Sequence, residues 1–302
     1  MSRCINLDYD GEDFTITIDD GEYILRGCEW RPENQPEFVL IYVHEQGSFV
    51  TTAHTFIDLV VKNKGVFIGC DHMGHGRSSG PRAGCTIEEI CEETEQIIIK
   101  AHDSFPNIPI FLYGFSSGAT ACLQLILERA NFISQYVNNV ILESPYISSP
   151  KGNMKISFIQ SFWIMVLAKL FPYTIMSIGE DYTSSDTNQN FAKRCYDSPL
   201  FSPFSTPIFL DSFLKSITAI RDAICDWPID INALFLQGKK DQTIDLDSNI
   251  AWFNELVMEK SHLSEGIIKL NVYDNLSHSL LKSNSNEKVF EDIFNFIHKH
   301  KQ

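Results

Sequence analysis

Short apolar runs alternating with amphipathic stretches constrain the fold of this chain more tightly than any other feature of its sequence. A pair of runs at residues 13–18 (DFTITI) and 22–28 (EYILRGC), separated by Asp19-Asp20-Gly21, reads as a β-hairpin with a glycine-assisted turn. An apolar strand at Phe38–Val43 follows, then a polar loop and a helix at about 52–62. Next come a strand at Val66–Cys70, a helix at 86–102, a strand at 109–113, a helix at 117–130 and a strand at Val140–Glu143. The rhythm breaks for about eighty residues rich in aromatics, Ser and Pro, then resumes with strands at 233–237 and 267–273 and helices at 246–259 and 286–299. Strands joined through helices run parallel, and runs with no polar alternation are buried on both faces. The expected fold is therefore α/β, a mostly parallel central sheet with an N-terminal β-hairpin and helices on both faces. One sheet interrupted by an insertion accounts for the break better than two domains in tandem.

With 302 residues and 44% hydrophobic content, the chain can bury a sizeable core. A formal charge of −15 excludes nucleic acid as a partner and excludes electrostatic attachment to anionic lipid, because both require a basic face. Hydrophobic contact is compatible with that charge. The most apolar region, Met154 to Met176, is interrupted by Lys155, Gln160, Lys169 and Pro172. It falls short of the roughly 20 clean apolar residues of a spanning helix. The N-terminal MSRCINLDYDGED carries acids where a signal peptide needs an apolar stretch. Eight cysteines (4, 28, 70, 85, 91, 122, 195, 225) lack C-x-x-C spacing, which points to free thiols in a reducing compartment and so to the cytoplasm.

Gly114-Phe115-Ser116-Ser117-Gly118 directly follows the apolar run Ile110–Tyr113 and opens the 117–130 helix, in which Leu123, Ile126 and Leu127 share a face. Chance alone would supply a Gly-x-Ser-x-Gly in roughly one chain in ten of this length. The strand–turn–helix context is what gives the pattern meaning. It describes a serine on a turn so tight that only glycine fits on either side, the place where a hydrolase holds a nucleophile.

A serine hydroxyl needs a base, and the base needs an orienting group. In a sheet of this kind both follow the serine in the chain, the acid before the histidine. Asp241, in Gly238-Lys239-Lys240-Asp241, emerges directly after the 233–237 strand, with Asp245 as a nearby competitor. His278, in Asn275-Leu276-Ser277-His278, follows the next strand, and His262 is its competitor in the required order. Donors for a developing oxyanion are expected from the backbone amide after the nucleophile, that of Ser117, and from the loop after an early strand. Gln46, in His44-Glu45-Gln46-Gly47, is the choice there. His72 and His75 superficially suggest a metal cluster, but Gly74 and Gly76 read as a tight loop and no third ligand is evident. Neither a metal nor a cofactor is expected.

Together these segments resemble the α/β-hydrolase superfamily, specifically its monoglyceride lipase and lysophospholipase group with the serine aminopeptidase-like (S33) relatives. HEQG at 44–47 stands for the family's His-Gly-x-Gly loop, DHMGHGRSSG at 71–80 for its Asp-x-x-Gly-His-Gly-x-Ser loop, and GFSSG for its elbow. Asp197-Ser198-Pro199-Leu200, GKKD and NLSH also match short family motifs, and the similarity spans nearly the whole chain. The resemblance implies Ser116 as nucleophile, His278 as general base and then acid, Asp241 as orienting carboxylate, and the amides of Gln46 and Ser117 as oxyanion hole. It implies a core of residues 1–145 and 227–302 and an inserted helical cap at 146–226. The implied activity is serine ester hydrolysis of a monoacylglycerol or lysophospholipid through an acyl-enzyme. A small-molecule carboxylesterase, a peptidase or a non-catalytic binding protein of the same fold are the alternatives.

Glu45 stands where the family has glycine. A carboxylate pointing inward there would oppose a developing negative charge, and since carboxylates are rarely buried unpaired, Glu45 is expected to face solvent. In the cap, Phe158, Phe162, Trp163, Ile164, Val166 and Leu167 are apolar nearly all round. That fits a helix buried on one side and turned on the other to an acyl chain or a membrane surface, in weak peripheral contact.

Overall fold

The computed structural model describes residues 7–18, 21–152, 155–177, 189–260 and 266–301. Its frame is an eight-stranded sheet in the order β1-β2-β4-β3-β5-β6-β7-β8. Strands β1 (Glu12–Ile18) and β2 (Tyr23–Trp30) form the expected antiparallel pair, with Asp19 and Asp20 of the turn outside the described residues. β2 runs past Cys28 because Glu29 and Trp30 continue the antiparallel ladder opposite Ile68 and Phe67 of β4 (Gly65–Asp71). From β4 onward every pairing is parallel: β3 (Phe38–Val43), β5 (Ile110–Phe115), β6 (Asn139–Glu143), β7 (Asn232–Gly238) and β8 (Ile268–Tyr273).

The wholly apolar strands are explained by two cores, one on each face of the sheet. Val39, Ile41, Val43, Leu112, Val140 and Phe235 point to one side, against α2 (Ile87–Ser104), α3 (Ser117–Glu128) and α8 (Leu246–Lys260). Their neighbours Leu40, Tyr42, Phe111, Tyr113, Ile141 and Leu234 point to the other. There α1 (His54–Lys62) and α9 (Glu287–His300) cover them with Phe56, Val60, Ile293 and Ile297. Two helices depart from the expected limits. A 3-10 turn at Val50–Ala53 precedes α1, and α3 ends at Glu128 with α4 (Ala130–Tyr136) following, because Arg129 leaves helical geometry at φ −123°.

Between β6 and β7 the insertion contributes α5 (Phe158–Leu170), α6 (Gln189–Tyr196) and α7 (Pro207–Asp222). α7 packs against α5, α3 and α2. Ile164 is the one buried side chain of α5, whereas Phe158 is 90% exposed, Ile159 70% and Trp163 57%. Among the described residues no helix is long and apolar enough to cross a membrane. The cysteines described, all but Cys4, carry free thiols, and only Cys225 among them is exposed.

Asp71, at the end of β4, organises the loop that begins with it. Its buried carboxylate accepts the amides of Val50 (2.9 Å) and Arg77 (2.8 Å) and the hydroxyl of Tyr9 (2.8 Å). Gly76 is required beside it, since a Cβ there would lie 2.3 Å from the Asp71 carboxylate. Asp71→Ala should lower stability by about 3 kcal/mol in urea unfolding, because it strands donors in a region closed to water.

Candidate active site

Ser116 directly follows β5 and precedes α3, with φ 56° and ψ −121°. That backbone costs about 1–3 kcal/mol and persists only where its surroundings enforce it. The enforcement is visible: the Ser116 amide donates to the Glu143 carbonyl at 2.9 Å and its carbonyl accepts the Thr120 amide at 3.0 Å. The flanking glycines have the steric task that their spacing implied. A Cβ on Gly114 would lie 2.6 Å from the Ala119 Cα, and one on Gly118 would lie 2.4 Å from the Val43 carbonyl oxygen.

The loops after β7 and β8 bring Asp241 and His278 to this serine. The Ser116 hydroxyl donates to His278 Nε2 at 2.8 Å, and His278 Nδ1–H donates to Asp241 Oδ2 at 2.7 Å. Because the carboxylate can only accept, it selects the tautomer that leaves Nε2 free as a base. Asp241 is sequestered, and its other oxygen accepts the Thr243 amide and hydroxyl, both at 2.8 Å, and the Ile244 amide at 3.1 Å. Burial alone would raise its pKa, but the His278 imidazole and the Thr243 donors outweigh it and hold the carboxyl well below the usual carboxylate range. Asp245 is elsewhere, paired with Lys151 at 2.6 Å and capping α8 through the Ser248 amide. His262 lies outside the described residues.

A family model for serine aminopeptidase, S33, matches residues 34–285, a span that contains all of these loops. The chain belongs to that family. Among its relatives, the rat (Rattus norvegicus) monoglyceride lipase is 24% identical over 87% of this chain and 82% of its own length. A monoglyceride lipase homolog of monkeypox virus is 22% identical over 92% and 95% of the two chains. Among solved structures, a monoacylglycerol lipase of Paleococcus ferrophilus superposes with a TM-score of 0.76 at 19% identity, covering 91% of this chain and 99% of that one. A carboxyl esterase of Bacillus coagulans gives 0.77 at 16% identity over 96% and 99%. The fold they share is that of the α/β-hydrolases.

The loop after β3 departs from expectation in two ways. The Gln46 amide does not stand free for a substrate oxygen; it donates to the Ser117 hydroxyl oxygen at 2.8 Å. A buried amide needs an acceptor, and the short side chain of Ser117, at the first position of α3, supplies one. Glu45 does not face solvent either. It is buried and forms an ion pair with Lys282, whose ammonium also sits 4.8 Å from the centre of the Phe115 ring. Burial by itself would lower the Lys282 pKa, but the Glu45 carboxylate outweighs it and raises it. The inward carboxylate thus carries its own counter-charge.

The histidines of this S33 member act as struts for the same loop. His44 Nδ1–H donates to the Glu45 carbonyl at 2.8 Å and His44 Nε2 accepts the His72 amide at 3.1 Å. Burial, with His72 and His75 beside it, holds His44 neutral. His72 reaches Glu93 at 2.7 Å, which also accepts the Met73 amide. From the insertion, the Ser202 amide donates to the Gly47 carbonyl at 2.8 Å. Arg82 donates to the carbonyls of Pro199 and Leu200, so the DSPL segment is docked onto the rim of the site.

Sequence reasoning missed Glu143, although a charged residue closing an apolar strand beside the serine was the available signal. Its carboxylate accepts the Tyr113 hydroxyl at 2.6 Å and the amides of Leu280 (2.6 Å) and Leu281 (3.1 Å), in the loop that carries His278. Ser144 adds a bond from its hydroxyl to the His278 carbonyl at 2.7 Å. Burial pushes the Glu143 carboxyl up from its ordinary 4.5 to about 6. Between those values the folded state holds a proton that the unfolded chain has lost, so stability falls as pH rises through the window, by about 2 kcal/mol in total. Glu143→Gln keeps an acceptor and should flatten that slope in urea titrations at successive pH values. Lys282→Met, which leaves Glu45 buried without a partner, should cost about 3 kcal/mol, and adding Glu45→Gln should recover most of it.

Proposed function

We propose that the protein is a serine ester hydrolase that cleaves lipid-like carboxylic monoesters, a monoacylglycerol or a lysophospholipid, through an acyl-enzyme. The observation that carries the chemistry is the unbroken line from the Ser116 hydroxyl through His278 to Asp241, at 2.8 and 2.7 Å. In acylation Ser116 Oγ attacks the ester carbonyl carbon while its proton passes to His278 Nε2, and the carbonyl π pair moves onto the oxygen. That oxygen lies against the Ser117 amide and the Gln46 loop. Collapse breaks the ester C–O bond, and the imidazolium gives its proton to the leaving alcohol. Water, deprotonated by the same nitrogen, then attacks the acyl carbon; the acyl C–Oγ bond breaks, the imidazolium returns its proton to Ser116 Oγ, and the acid is released. Asp241 holds the imidazole in place and stabilises its charged form.

The insertion and the relatives support the substrate class. Residues 146–226 act as a helical cap, and the exposed Phe158, Ile159, Phe162 and Trp163 of α5 offer an acyl chain or a lipid surface an apolar face. With a net charge of −15, contact with a membrane is peripheral and hydrophobic. The protein works in the cytoplasm, where its thiols stay reduced. Relatives named monoglyceride lipase and monoacylglycerol lipase support a monoester as substrate.

Purified protein should hydrolyse p-nitrophenyl esters with kcat/KM rising up to acyl chains of about C8 or longer, since each buried methylene adds up to about 0.8 kcal/mol. Ser116→Ala should reduce kcat by about a million-fold, to background. A maximum at acetyl esters would instead assign a small-molecule carboxylesterase, and cleavage of aminoacyl amides alone a peptidase.

A further inference from the structure

The Gln46 amide and the Ser117 side chain meet one residue from Ser116, at the start of α3. Ser117 is the first residue of α3, whose opening amides have no partner within the helix and whose dipole favours negative charge. Its side chain is 4% exposed, and its Oγ accepts the Gln46 N–H at 2.8 Å. A hydroxyl that accepts still has one proton to give, and among the described residues no acceptor takes it. Gln46 is itself pinned, since its side-chain amide donates to the Ala83 carbonyl at 3.0 Å. The Gln46 N–H therefore already has its acceptor, and a substrate oxygen that needed it directly would have to displace the hydroxyl from a buried position.

We propose that the Ser117 hydroxyl is itself an oxyanion donor: Gln46 N–H donates to Ser117 Oγ, and Ser117 Oγ–H donates to the substrate oxygen beside the Ser117 amide. This rests on the ester-hydrolase reading above and deepens it. When Ser116 Oγ bonds to the acyl carbon, the π pair moves to the carbonyl oxygen, and two donors from one residue meet that charge. No proton is transferred to it. The Gln46 amide strengthens the hydroxyl as a donor by polarising it, because linked hydrogen bonds reinforce one another at low dielectric. Ser117 is on this account a catalytic residue through its side chain as well as its backbone, and Gln46 is a positioning residue acting through it.

The test measures p-nitrophenyl ester hydrolysis and inhibition by an alkyl boronic acid, which places an oxygen in the oxyanion position, for wild type, Ser116→Ala, Ser117→Ala and Ser117→Thr. Ser117→Ala should lower kcat by about 10- to 100-fold, somewhat less than complete loss of one oxyanion donor, since the released Gln46 amide takes up part of the task. KM should change little, and boronate affinity should fall in parallel with kcat/KM. Ser117→Thr, which keeps the hydroxyl, should restore most of both, and matching thermal melts establish that the variants are folded. A Ser117→Ala enzyme as fast as wild type, or faster, overturns the proposal and makes the hydroxyl a bystander or a plug. If Ser117→Thr behaves like the Ala variant although it melts normally, the donor role also fails. A wild-type protein indistinguishable from Ser116→Ala would overturn the hydrolase reading itself and this inference with it.

Discussion

The spacing between Ser116 and His278 depends on one buried residue, Glu143. Its carbonyl fixes the amide of Ser116, and its carboxylate fixes two amides just beyond His278. Two loops separated by more than a hundred and fifty positions in the chain are thereby referenced to the same end of β6, which is hydrogen-bonded between β5 and β7 in the middle of the sheet. Ser116 can hold a strained backbone because its partner is not a mobile loop but a strand buried on both faces.

Ser116 sits among carboxylates, and each is reconciled with burial in a different way. Asp241 is ionised and matched to His278 and the Thr243 donors. Glu45 is paired with the Lys282 ammonium. Glu143 is held by hydrogen bonds and shifted toward its neutral form by burial. At low dielectric an unmatched carboxylate in any of these places would raise the cost of the oxyanion by Coulomb repulsion. The local arrangement of ion pairs and protons therefore matters more to the chemistry than the overall acidity of the chain.

Much of this was legible in the sequence because it depends on local rules. Ser116, Asp241 and His278 each follow a strand of the parallel part of the sheet, so chain order alone delivers them to one edge. Both cores follow from runs with no polar alternation. The rest depends on pairings across the fold that no local pattern encodes. Nothing near Glu45 announces Lys282, and its expected solvent-facing position failed because a distant cation made burial tolerable. The engagement of the Gln46 amide by Ser117 was hidden for a related reason: it arises from where a hydroxyl happens to reach, not from the spacing of glycines. The division of the helical segment at Arg129 also went unseen, since the apolar pattern continues across the break.

The ion pair between Glu45 and Lys282 joins residues 237 positions apart in the chain. As the polypeptide is synthesised, the loop that carries Glu45 holds a carboxylate with no counter-charge until Lys282 emerges, just after His278. One short stretch, residues 278–282, thus supplies both the partner of the Ser116 hydroxyl and the partner of the Glu45 carboxylate, and until it has emerged a nascent chain has neither.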